Sequence, residues 1–398
     1  MEDVILVLNA GSSSIKFQLF APGVEVRSKI KGQMEGIGVR PRMSVKGARR
    51  ENLVDQTWPA ASVPNMRAAI ELIIEFLKGL SGALPVAIGH RVVHGGLRYR
   101  EPVLVDEVVL SNLEQLSSLA PLHQPNSTAL IRFAMDRLPQ IPQVACFDTA
   151  FHRGHSELAD RYAIPEDLYE EGVRRYGFHG ISYEYVSDRL SKIDPSLSNA
   201  KVVIAHLGSG ASLCAIAGGR SIDTTMGFTA LDGLPMGTRP GQLDAGVVLY
   251  LMQYRRMAVT QIEKLLYYDC GLKALSGSSN DVRVLLASED ARSKLALDYF
   301  VYRILALTGS LAAVMGGLDG FVFTAGIGEN SPEIRSRIAS GLTWLGMDID
   351  PALNATGGPR ISSRTSRITC LVIPTDEELM IARHTMNFVR RAYQQVHS

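Results

Sequence analysis

Two segments far apart in the chain share one pattern, and this repeated pattern limits the possible folds more than any other feature. Each segment is an apolar run, a turn rich in glycine and serine, and a second partly apolar run. The runs are 4–8 with 15–20, and 202–205 with 213–217. An apolar run bounded by turn residues predicts a buried strand, so each segment predicts a β-hairpin, whereas a dinucleotide-binding or P-loop turn would enter a helix. The repeat predicts two similar α/β domains.

The rest of the chain alternates between helical and strand patterns. Amphipathic periodicity and helix-start signals predict helices at 66–80, 125–138, 243–252 and 295–315. Short apolar runs predict strands at 86–88, 144–147, 321–323 and 371–373. Strands that alternate with helices predict an α/β protein with mixed sheets. A domain boundary is expected near residue 150, where a strand gives way to a polar, charged stretch.

Positive and negative charges nearly cancel, which excludes function classes that depend on bulk charge. The 398 residues include 41 Lys and Arg against 40 Asp and Glu, for a formal net charge of +1. A nonspecific nucleic-acid coat needs a large positive excess. The basic stretch 40–50 is followed at once by Glu51 and is typical of a solvated flap, so no nucleic-acid partner is expected. A small anionic substrate remains compatible, because a few well-placed cations suffice to bind it.

Cysteine usage and the apolar segments predict a cytoplasmic protein that does not span a membrane. The four cysteines lie far apart with no CxxC pair, so neither a disulfide scaffold nor a structural zinc site is expected. The N-terminus begins with acidic residues and lacks the basic region of a signal peptide. The longest uncharged stretch, 304–318, is shorter than a membrane-spanning helix needs and predicts a buried core helix.

Three turns rich in glycine, at 11–14, 208–210 and 326–330, are candidates for binding phosphate. Such turns after a strand expose backbone N–H groups that suit phosphate oxygens. The chain contains no Gly-Lys dipeptide and hence no Walker A motif, and Ser331 stands where the dinucleotide fingerprint has its third glycine. Any one of these turns is more often an ordinary tight turn. Three in one chain favour a nucleotide site.

Charged and titratable side chains lie among glycines in three further segments, 90–96, 178–180 and 237–241. Glycine permits the close approach of a ligand, and arginine can bind a phosphate or carboxylate through two parallel hydrogen bonds. The histidine pairs at 90/94 and 152/155 could hold a metal, but they lack a Glu or Cys partner at a usable spacing. Asp148 ends an apolar strand, and the acids at 376–378 either cap a helix or hold Mg²⁺.

Six ordered motifs resemble those of the acetate kinase family and extend the resemblance over nearly the whole chain. They are LNAGSSSIKF (8–17), GHRVVHGG (89–96), FDTAFH (147–152), YGFHG (176–180), MGTR (236–239) and TAGIGEN (324–330). The resemblance implies the acetate and sugar kinase/Hsc70/actin architecture, with two duplicated ribonuclease H-like domains and an active-site cleft between them. The implied domains are 1–150 with about 378–398, and 151–377. It also implies reversible, direct in-line transfer of the ATP γ-phosphoryl group to acetate, giving acetyl phosphate and ADP.

The resemblance also implies site residues, position by position. Arg91, Arg239 and His179 would hold the acceptor carboxylate and the transferring phosphoryl group, with Asp148 and His123 beside them. The acyl pocket would comprise Val93, Leu122, Phe178 and Ala230. The nucleotide would meet Ser12, Ser14, Lys16, His206, Leu207, Gly208, Ser209, Gly210, Asp281, Val282, Arg283, Gly326, Ile327, Gly328, Glu329 and Asn330. Asn9 and Glu377 would hold Mg²⁺, with Mn²⁺ able to substitute, and a homodimer is implied.

The chain departs from the family pattern at three places, and rival functions remain open. Ser209 stands where Asn is usual, Ala230 where Pro is frequent, and Ile-Ser-Tyr183 where Thr-Ser-His is commoner. Propionate kinase is the close alternative and butyrate kinase a distant one. An ATP-switched binding protein of the Hsp70 or actin kind is an alternative of a different class, because a fold does not fix a function. A carboxylate substrate is already ionised at neutral pH, so Asp148 is expected to orient groups rather than act as a base.

Overall fold

The computed structural model describes residues 3–11, 13–23, 25–81, 85–121 and 123–396. Ser12 and Leu122, two of the predicted site residues, lie outside these ranges. The chain divides into two compact units. Unit 1 comprises residues 1–150 and 376–398, and unit 2 comprises residues 151–375.

The described part of each unit contains one mixed β-sheet. The strands of unit 1 are β1 (Ile5–Ala10), β2 (Ile15–Ala21), β3 (Arg27–Glu35), β4 (Arg42–Gly47), β5 (Asn52–Thr57), β6 (Ala87–Val92), β7 (Val103–Leu104) and β8 (Gln143–Phe147). The strands of unit 2 are β9 (Lys201–Leu207), β10 (Ala211–Ala217), β11 (Arg220–Thr224), β12 (Gly320–Thr324) and β13 (Thr369–Val372). The α/β class with mixed sheets is therefore confirmed.

Fifteen α-helices lie in the described ranges. They are α1 (Met66–Ser81), α2 (Glu107–Gln115), α3 (Gln124–Arg137), α4 (Glu157–Asp160), α5 (Glu166–Glu170), α6 (Gly180–Ile193), α7 (Ala245–Gln253), α8 (Val259–Tyr268), α9 (Gly271–Ser276), α10 (Val282–Leu286), α11 (Ala291–Met315), α12 (Ala325–Asn330), α13 (Pro332–Gly341), α14 (Pro351–Thr356) and α15 (Glu377–Val396). Helices α7 and α11 start at Ala245 and Ala291 because Asp244 and Asp290 cap them. Apolar periodicity alone places these two helix starts at residues 243 and 295.

The two sheets repeat one topology. Unit 1 has the order β5-β4-β3-β2-β1-β6-β8-β7 and unit 2 the order β11-β10-β9-β12-β13. In each, an antiparallel hairpin (β1–β2 or β9–β10) is followed on one side by a third antiparallel strand. On the other side it is followed by two parallel strands. The duplication predicted from the two Gly-Ser turns is thus present in the order and direction of five strands.

Burial explains why the central strands lack the alternating pattern of half-exposed ones. Every residue of β1 is buried, and so is all of β9 except its first residue. Strands covered on both faces become continuous apolar runs. In contrast, β4 alternates between exposed or half-buried and buried residues, because only one of its faces packs on the core.

Helix α15 brings the C-terminal part of the chain onto the sheet of unit 1, where it packs against β1 and β6. The close approach depends on Gly89 in β6. A Cβ atom there would lie 2.4 Å from Thr385 Oγ1 and 2.6 Å from Ile381 Cγ2. The helix begins at Glu377 because the Asp376 carboxylate accepts a hydrogen bond from the Leu379 N–H at 2.9 Å. Of the acids at 376–378, Asp376 therefore acts as a cap.

Among the described residues, one helix, α11, is long and apolar enough to cross a membrane by length and composition alone. A core helix passes the same test. The buried residues of α11, which include Phe300, Ile304 and Leu311, recur at helical spacing. The helix packs against α9 and against β9 and β10. One face of α11 therefore lies in the core of unit 2, but the helix is not buried as a whole as the stretch 304–318 predicted, and Val314 is 56% exposed.

Candidate active site

Each unit places a hairpin turn at one end of its central strand. In unit 1 the Gly11 N–H donates to Ser14 O at 2.8 Å, and Asn9 lies opposite Lys16 in the β1–β2 register. In unit 2 the Gly208 N–H donates to Gly210 O at 3.0 Å between β9 and β10. A backbone hydrogen bond thus closes the turn of each hairpin.

In unit 1 the ends of β6 and β8 and the start of α15 bring together one arginine and two carboxylates. Arg91 Nε and Nη2 lie 2.9 and 2.6 Å from the two oxygens of Asp148, a bidentate pair. Arg91 Nη1 lies 3.5 Å from Glu377 Oε2. Burial lowers the pKa of Arg91, but the ion pairs with Asp148 and Glu377 outweigh it and raise that pKa overall. Asp148, only 2% exposed, is therefore held as the partner of Arg91.

The carboxylates of unit 1 fit a divalent cation that takes most of its ligands from elsewhere. No group of three His, Cys, Asp or Glu side chains converges on a metal-binding arrangement in the described ranges. Mg²⁺ at phosphate sites needs only one or two carboxylates, with phosphate oxygens and water as its other ligands. Burial raises the pKa of Glu377; Arg91 counters the shift, while Asp148 and Glu378 add to it. A cation there would stabilise the charged carboxylate.

Two other predicted residues of unit 1, Val93 and His123, lie on segments that are joined by hydrogen bonds. Val93 is buried and follows β6 directly. His123 is half-buried at the residue before α3, and its carbonyl accepts the Ser127 N–H at 3.1 Å. Its neighbour Gln124 is fully buried and bonds both the N–H and the carbonyl of His94. The segment around His123 is thereby fastened to the glycine-rich segment after β6.

In unit 2, residues 236–239 form a turn docked on the β9–β10 hairpin. The Met236 N–H donates to Arg239 O at 2.9 Å, and the Gly237 N–H donates to Ser209 O at 3.3 Å. The first turn of α9 donates its free N–H groups back to this loop, with Leu272 N–H bonding Met236 O at 2.9 Å. This packing fixes where the Arg239 side chain begins.

Arg239 and His179 border the same space beside Gly210. A Cβ atom built on Gly210 would lie 2.9 Å from Arg239 Nη2 and 3.1 Å from His179 Nε2. Both polar atoms therefore reach one point next to the hairpin turn. Only a residue without a side chain leaves that point open for a ligand.

Arg239 is a half-buried cation without a salt-bridge partner in the described part of the chain. Its Nη1 donates to the carbonyl of Ala230 at 2.8 Å, and no carboxylate of the described residues pairs with it. Burial lowers the pKa of Arg239, with a small opposing effect from Tyr267. Buried charges are normally paired, because an unpaired one loses its hydration. An anionic ligand would supply the missing partner.

His179 has a strained backbone and a stacked neighbour. Its φ of 58° is left-handed, in the position before α6. Such a conformation costs a non-glycine residue about 1 kcal/mol or more and concentrates at functional sites. The imidazole of His206 stacks on that of His179, with ring centres 4.1 Å apart and planes 14° from parallel. Two predicted residues from different elements thus meet face to face.

A histidine and a serine hold the segment before His179. His152 Nε2 lies 2.9 Å from the carbonyl of Phe178, which can only accept, so His152 carries its proton on that nitrogen. Ser221 Oγ lies 2.8 Å from His152 Nδ1, and His155 Nε2 lies 2.7 Å from the same hydroxyl. The buried Phe178 side chain, a predicted acyl-pocket residue, is thereby positioned through its backbone.

The burial of His155 predicts a pH-dependent stability. Burial, with nearby Arg153 and Arg175, lowers the pKa of His155 from 6.5 to about 4. Between these values the unfolded chain binds a proton that the folded chain does not, so the free energy of unfolding falls as the pH falls. The loss is about 1.4 kcal/mol per pH unit for this one group. Urea unfolding at pH 7, 6 and 5 should therefore show a shallower decline for His155→Gln than for the wild type. Parallel declines would refute this assignment.

A cavity of about 590 Å³ lies in unit 2. Predicted nucleotide residues in its wall are Gly208, Ser209, Asp281, Val282, Arg283, Gly326, Ile327 and Asn330. Apolar side chains that include Leu286 and Phe300 line it together with polar ones such as Asn280. This mixture and this volume suit a planar base and a sugar. Asp281 and Arg283 also pair with each other, at 2.6 Å, and Asp281 caps α10.

The segment 326–330 is part of helix α12 and not the open turn that its glycines predicted. Two of its five residues face away from the cavity. Gly328 is buried, and Glu329 Oε1 accepts the Thr375 N–H at 3.1 Å. The fully buried Arg335 stabilises the end of this helix, because its Nη1 donates to the carbonyls of both Gly328 and Glu329 at 2.9 Å. The carbonyls at the end of α12 are thus satisfied by a side chain.

Sequence reasoning missed several polar residues that support the predicted ones. Ser212, Ser182, Ser221 and Arg335 each hold a predicted residue or its backbone. The available signal was weak: Ser212 is the single polar residue in the apolar run 211–217. A polar residue at a buried strand position needs a partner, and that requirement could have marked it.

Comparison with known proteins gives one consistent result. The sequence model of the Acetokinase family matches residues 4–383. The acetate kinase of Nitrobacter hamburgensis is 57% identical, with 97% of this chain and 96% of that protein covered. The acetate kinase of Rhizobium meliloti is 53% identical, with 97% and 98% covered.

Solved structures agree with the sequence comparison. A propionate kinase from Francisella tularensis is 38% identical, with a TM-score of 0.91 over 97% of this chain and 99% of the other. The acetate kinase of Porphyromonas gingivalis is 35% identical, with a TM-score of 0.87 over 97% and 100%. Both similarities extend over nearly all of this chain.

Proposed function

The chain belongs to the acetate kinase family, and from this premise we propose how its residues transfer the γ-phosphoryl group of ATP to acetate. It is a phosphotransferase with a carboxylate acceptor, and acetate is better supported as that acceptor than propionate. The reaction gives acetyl phosphate and ADP. The roles of individual residues below are the proposal.

Arg239 is the observation that supports the proposal most strongly. It is a half-buried guanidinium without a carboxylate partner in the described ranges, and its Nη2 and His179 Nε2 border one open point beside Gly210. Two hydrogen-bond donors that converge on one point suit the equatorial oxygens of a transferring phosphoryl group. Because these donors are fixed before the substrate arrives, they need little rearrangement as charge develops on those oxygens.

The acceptor side of the reaction requires orientation and not a base. Acetate is ionised at neutral pH, so its carboxylate attacks without losing a proton. Arg91 would bind this carboxylate through the N–H groups that Asp148 leaves available, chiefly those of Nη1, which lies 3.5 Å from Glu377 Oε2. Asp148 would hold the guanidinium in one orientation. Val93, Leu122, Phe178 and Ala230 would form the apolar pocket for the methyl group, and His123 would donate a hydrogen bond nearby.

Mg²⁺ would be held by Asn9 and Glu377 in unit 1, and when bound it neutralises part of the phosphate charge. Lys16 and the serines of the first hairpin, Ser12 and Ser14, would add phosphate contacts. The cavity of unit 2 would bind the adenosine, with the Gly208–Gly210 turn and His206 and Leu207 of β9 toward the phosphates. Ser209 would offer a hydroxyl at the position where the family usually has an amide.

A comparison of kcat/KM among short carboxylates tests the assignment of acetate as the acceptor. We expect acetate to have the highest kcat/KM with ATP, followed by propionate and then butyrate. One methylene in an apolar pocket changes discrimination by about 10–200-fold. Trapping the acyl phosphate with hydroxylamine measures the product for all three acids in the same assay. A higher kcat/KM for propionate than for acetate would move the assignment to propionate kinase.

We also propose that the protein is a cytoplasmic homodimer. Helix α7 contains no buried residue, although most of its side chains are apolar, and it exposes Val247, Leu249, Tyr250 and Met252. Contiguous exposed apolar surface of this kind favours association. A second copy of this chain would cover it. Light scattering should then give twice the 43.3 kDa of one chain, and Leu249→Glu should give a monomer.

A further inference from the structure

A chain of hydrogen bonds leads from the core of unit 2 to His179. Tyr183 Oη lies 2.6 Å from Ser212 Oγ, and Ser212 Oγ lies 2.8 Å from His179 Nδ1. Tyr183 and Ser212 are fully buried. Tyr183 sits one helical turn after His179 on α6, and Ser212 lies on β10, opposite His206. The other ring nitrogen of His179, Nε2, faces the open point beside Gly210.

The directions of these hydrogen bonds follow from where the protons can go. Ser212 Oγ is the hydrogen-bond acceptor found for the Tyr183 hydroxyl proton among the described residues. A buried hydroxyl proton without an acceptor destabilises the folded state. Tyr183 therefore donates to Ser212. Ser212 has one proton of its own, which then points to His179 Nδ1, so that nitrogen must accept.

We propose that Tyr183 and Ser212 are positioning residues that keep the proton of the neutral His179 ring on Nε2. This inference rests on the proposed function, in which His179 donates to the transferring phosphoryl group. With the proton on Nε2, the ring presents a donor to the phosphoryl oxygens. With the proton on Nδ1, it would present a lone pair to those anionic oxygens and repel them.

The stacked ring of His206 is held in a similar manner. Ser182 Oγ lies 2.8 Å from His206 Nδ1 and 2.8 Å from Thr375 Oγ1. Each of the two parallel imidazoles therefore has a serine hydroxyl at Nδ1. The stack resists rotation of either ring, because a rotated ring would lose its serine and its face-to-face contact together. The tautomer and the orientation of His179 are thus fixed by the same contacts.

Nitrogen NMR on selectively labelled protein reads the tautomer directly. The chain has nine histidines, so [¹⁵N]histidine labelling gives a tractable spectrum, and His179→Gln assigns the signal. We expect the proton of wild-type His179 on Nε2. In Ser212→Ala and in Tyr183→Phe we expect a mixture of tautomers. A wild-type proton on Nδ1 would overturn the proposal.

Kinetics supply the second measurement. Removing a hydrogen-bond partner that orients a histidine through its other ring nitrogen typically lowers activity by about 10–100-fold, as measured for metal-bound histidines. We expect Ser212→Ala to lower kcat by that factor while the KM for acetate changes little, and Ser212→Thr to recover most of the loss. Ser293→Ala is the matched control, because Ser293 is also a fully buried serine of unit 2 but its hydroxyl has no hydrogen-bond partner among the described residues. It should retain wild-type kcat.

The two measurements separate this inference from the proposed function. The NMR experiment needs neither ATP nor acetate, so it tests the tautomer even if no acetyl phosphate forms. An Nε2 proton that persists in Ser212→Ala, together with an unchanged kcat, would overturn the role of Ser212. Should Ser212→Ala fail to fold, the wild-type spectrum and the Tyr183→Phe variant still decide.

Discussion

Arg239→Ala should lower kcat by at least about 100–1,000-fold while the protein remains folded, because it removes a preorganised donor to the transferring phosphoryl group. Arg239 is half-buried, with a carbonyl as its hydrogen-bond acceptor and without a carboxylate partner among the described residues. Its charge is therefore not balanced by the fold itself, and its removal leaves no carboxylate unpaired. We expect an unfolding midpoint close to that of the wild type. Arg239→Lys keeps the charge but loses the planar fork, and should have intermediate activity.

Arg91→Ala should differ from Arg239→Ala in stability although both lose activity. Arg91 pairs in bidentate geometry with Asp148, which is 2% exposed, and also contacts Glu377. Removing Arg91 leaves a buried carboxylate unpaired, which costs about 3 kcal/mol. We take the lower end of the usual destabilisation for breaking a buried ion pair, because the Arg91 side chain is still 22% exposed.

Urea unfolding and steady-state kinetics on the two variants test this contrast. The account expects loss of kcat in both and loss of stability only in Arg91→Ala. Near-normal turnover in folded Arg239→Ala would refute its assignment to the phosphoryl group. Equal destabilisation of both variants would refute the view that Arg239 lacks an internal counter-charge.

Gly210→Ala should abolish most activity without unfolding the protein. The added Cβ would lie 2.9 Å from Arg239 Nη2 and 3.1 Å from His179 Nε2, at the point where these two groups converge. Arg239 Nη2 is the end of a flexible side chain that can shift at low cost, and the 3.1 Å contact with His179 requires a movement of only a few tenths of an ångström, so the fold should survive. Their displacement by about 1 Å suffices to lower kcat by about 100-fold.

Gly154→Ala is the matched control for Gly210→Ala. Gly154 also belongs to unit 2, and a Cβ atom there would meet no atom within 4 Å. The control should keep wild-type kcat and should have equal or slightly higher stability, since alanine restricts the unfolded chain. Wild-type activity in Gly210→Ala would show that the space beside Gly210 is not occupied during turnover.

The sequence predicted the elements of the fold that depend on local pattern. The apolar runs around the two glycine turns identified both hairpins, and the duplicated sheet topology followed from their repetition. Helix starts were less accurate, because caps such as Asp290 lie outside the apolar periodicity. The glycines of 326–330 suggested an open turn, but packing on Arg335 makes this segment helical.

The residue types of the candidate site could be predicted from the sequence, but the ion-pair and hydrogen-bond partners of those residues could not. Arginine and histidine among glycines indicated anion binding, and Arg239 and His179 do meet beside Gly210. Asp148 occupies two donors of Arg91, but the two residues are 57 positions apart in the sequence. No local sequence pattern encodes a contact over that separation. The serine at Nδ1 of His179 lies 33 residues away and is equally invisible to local reasoning.

Phosphorus NMR of the products tests the central claim most directly. The purified chain is incubated with MgATP, with and without acetate, and every phosphorus species is quantified. The account predicts acetyl phosphate and ADP in equal amounts, formed only when acetate is present. ADP with inorganic phosphate and no acetyl phosphate would contradict it, and would indicate an ATP-switched binding protein instead.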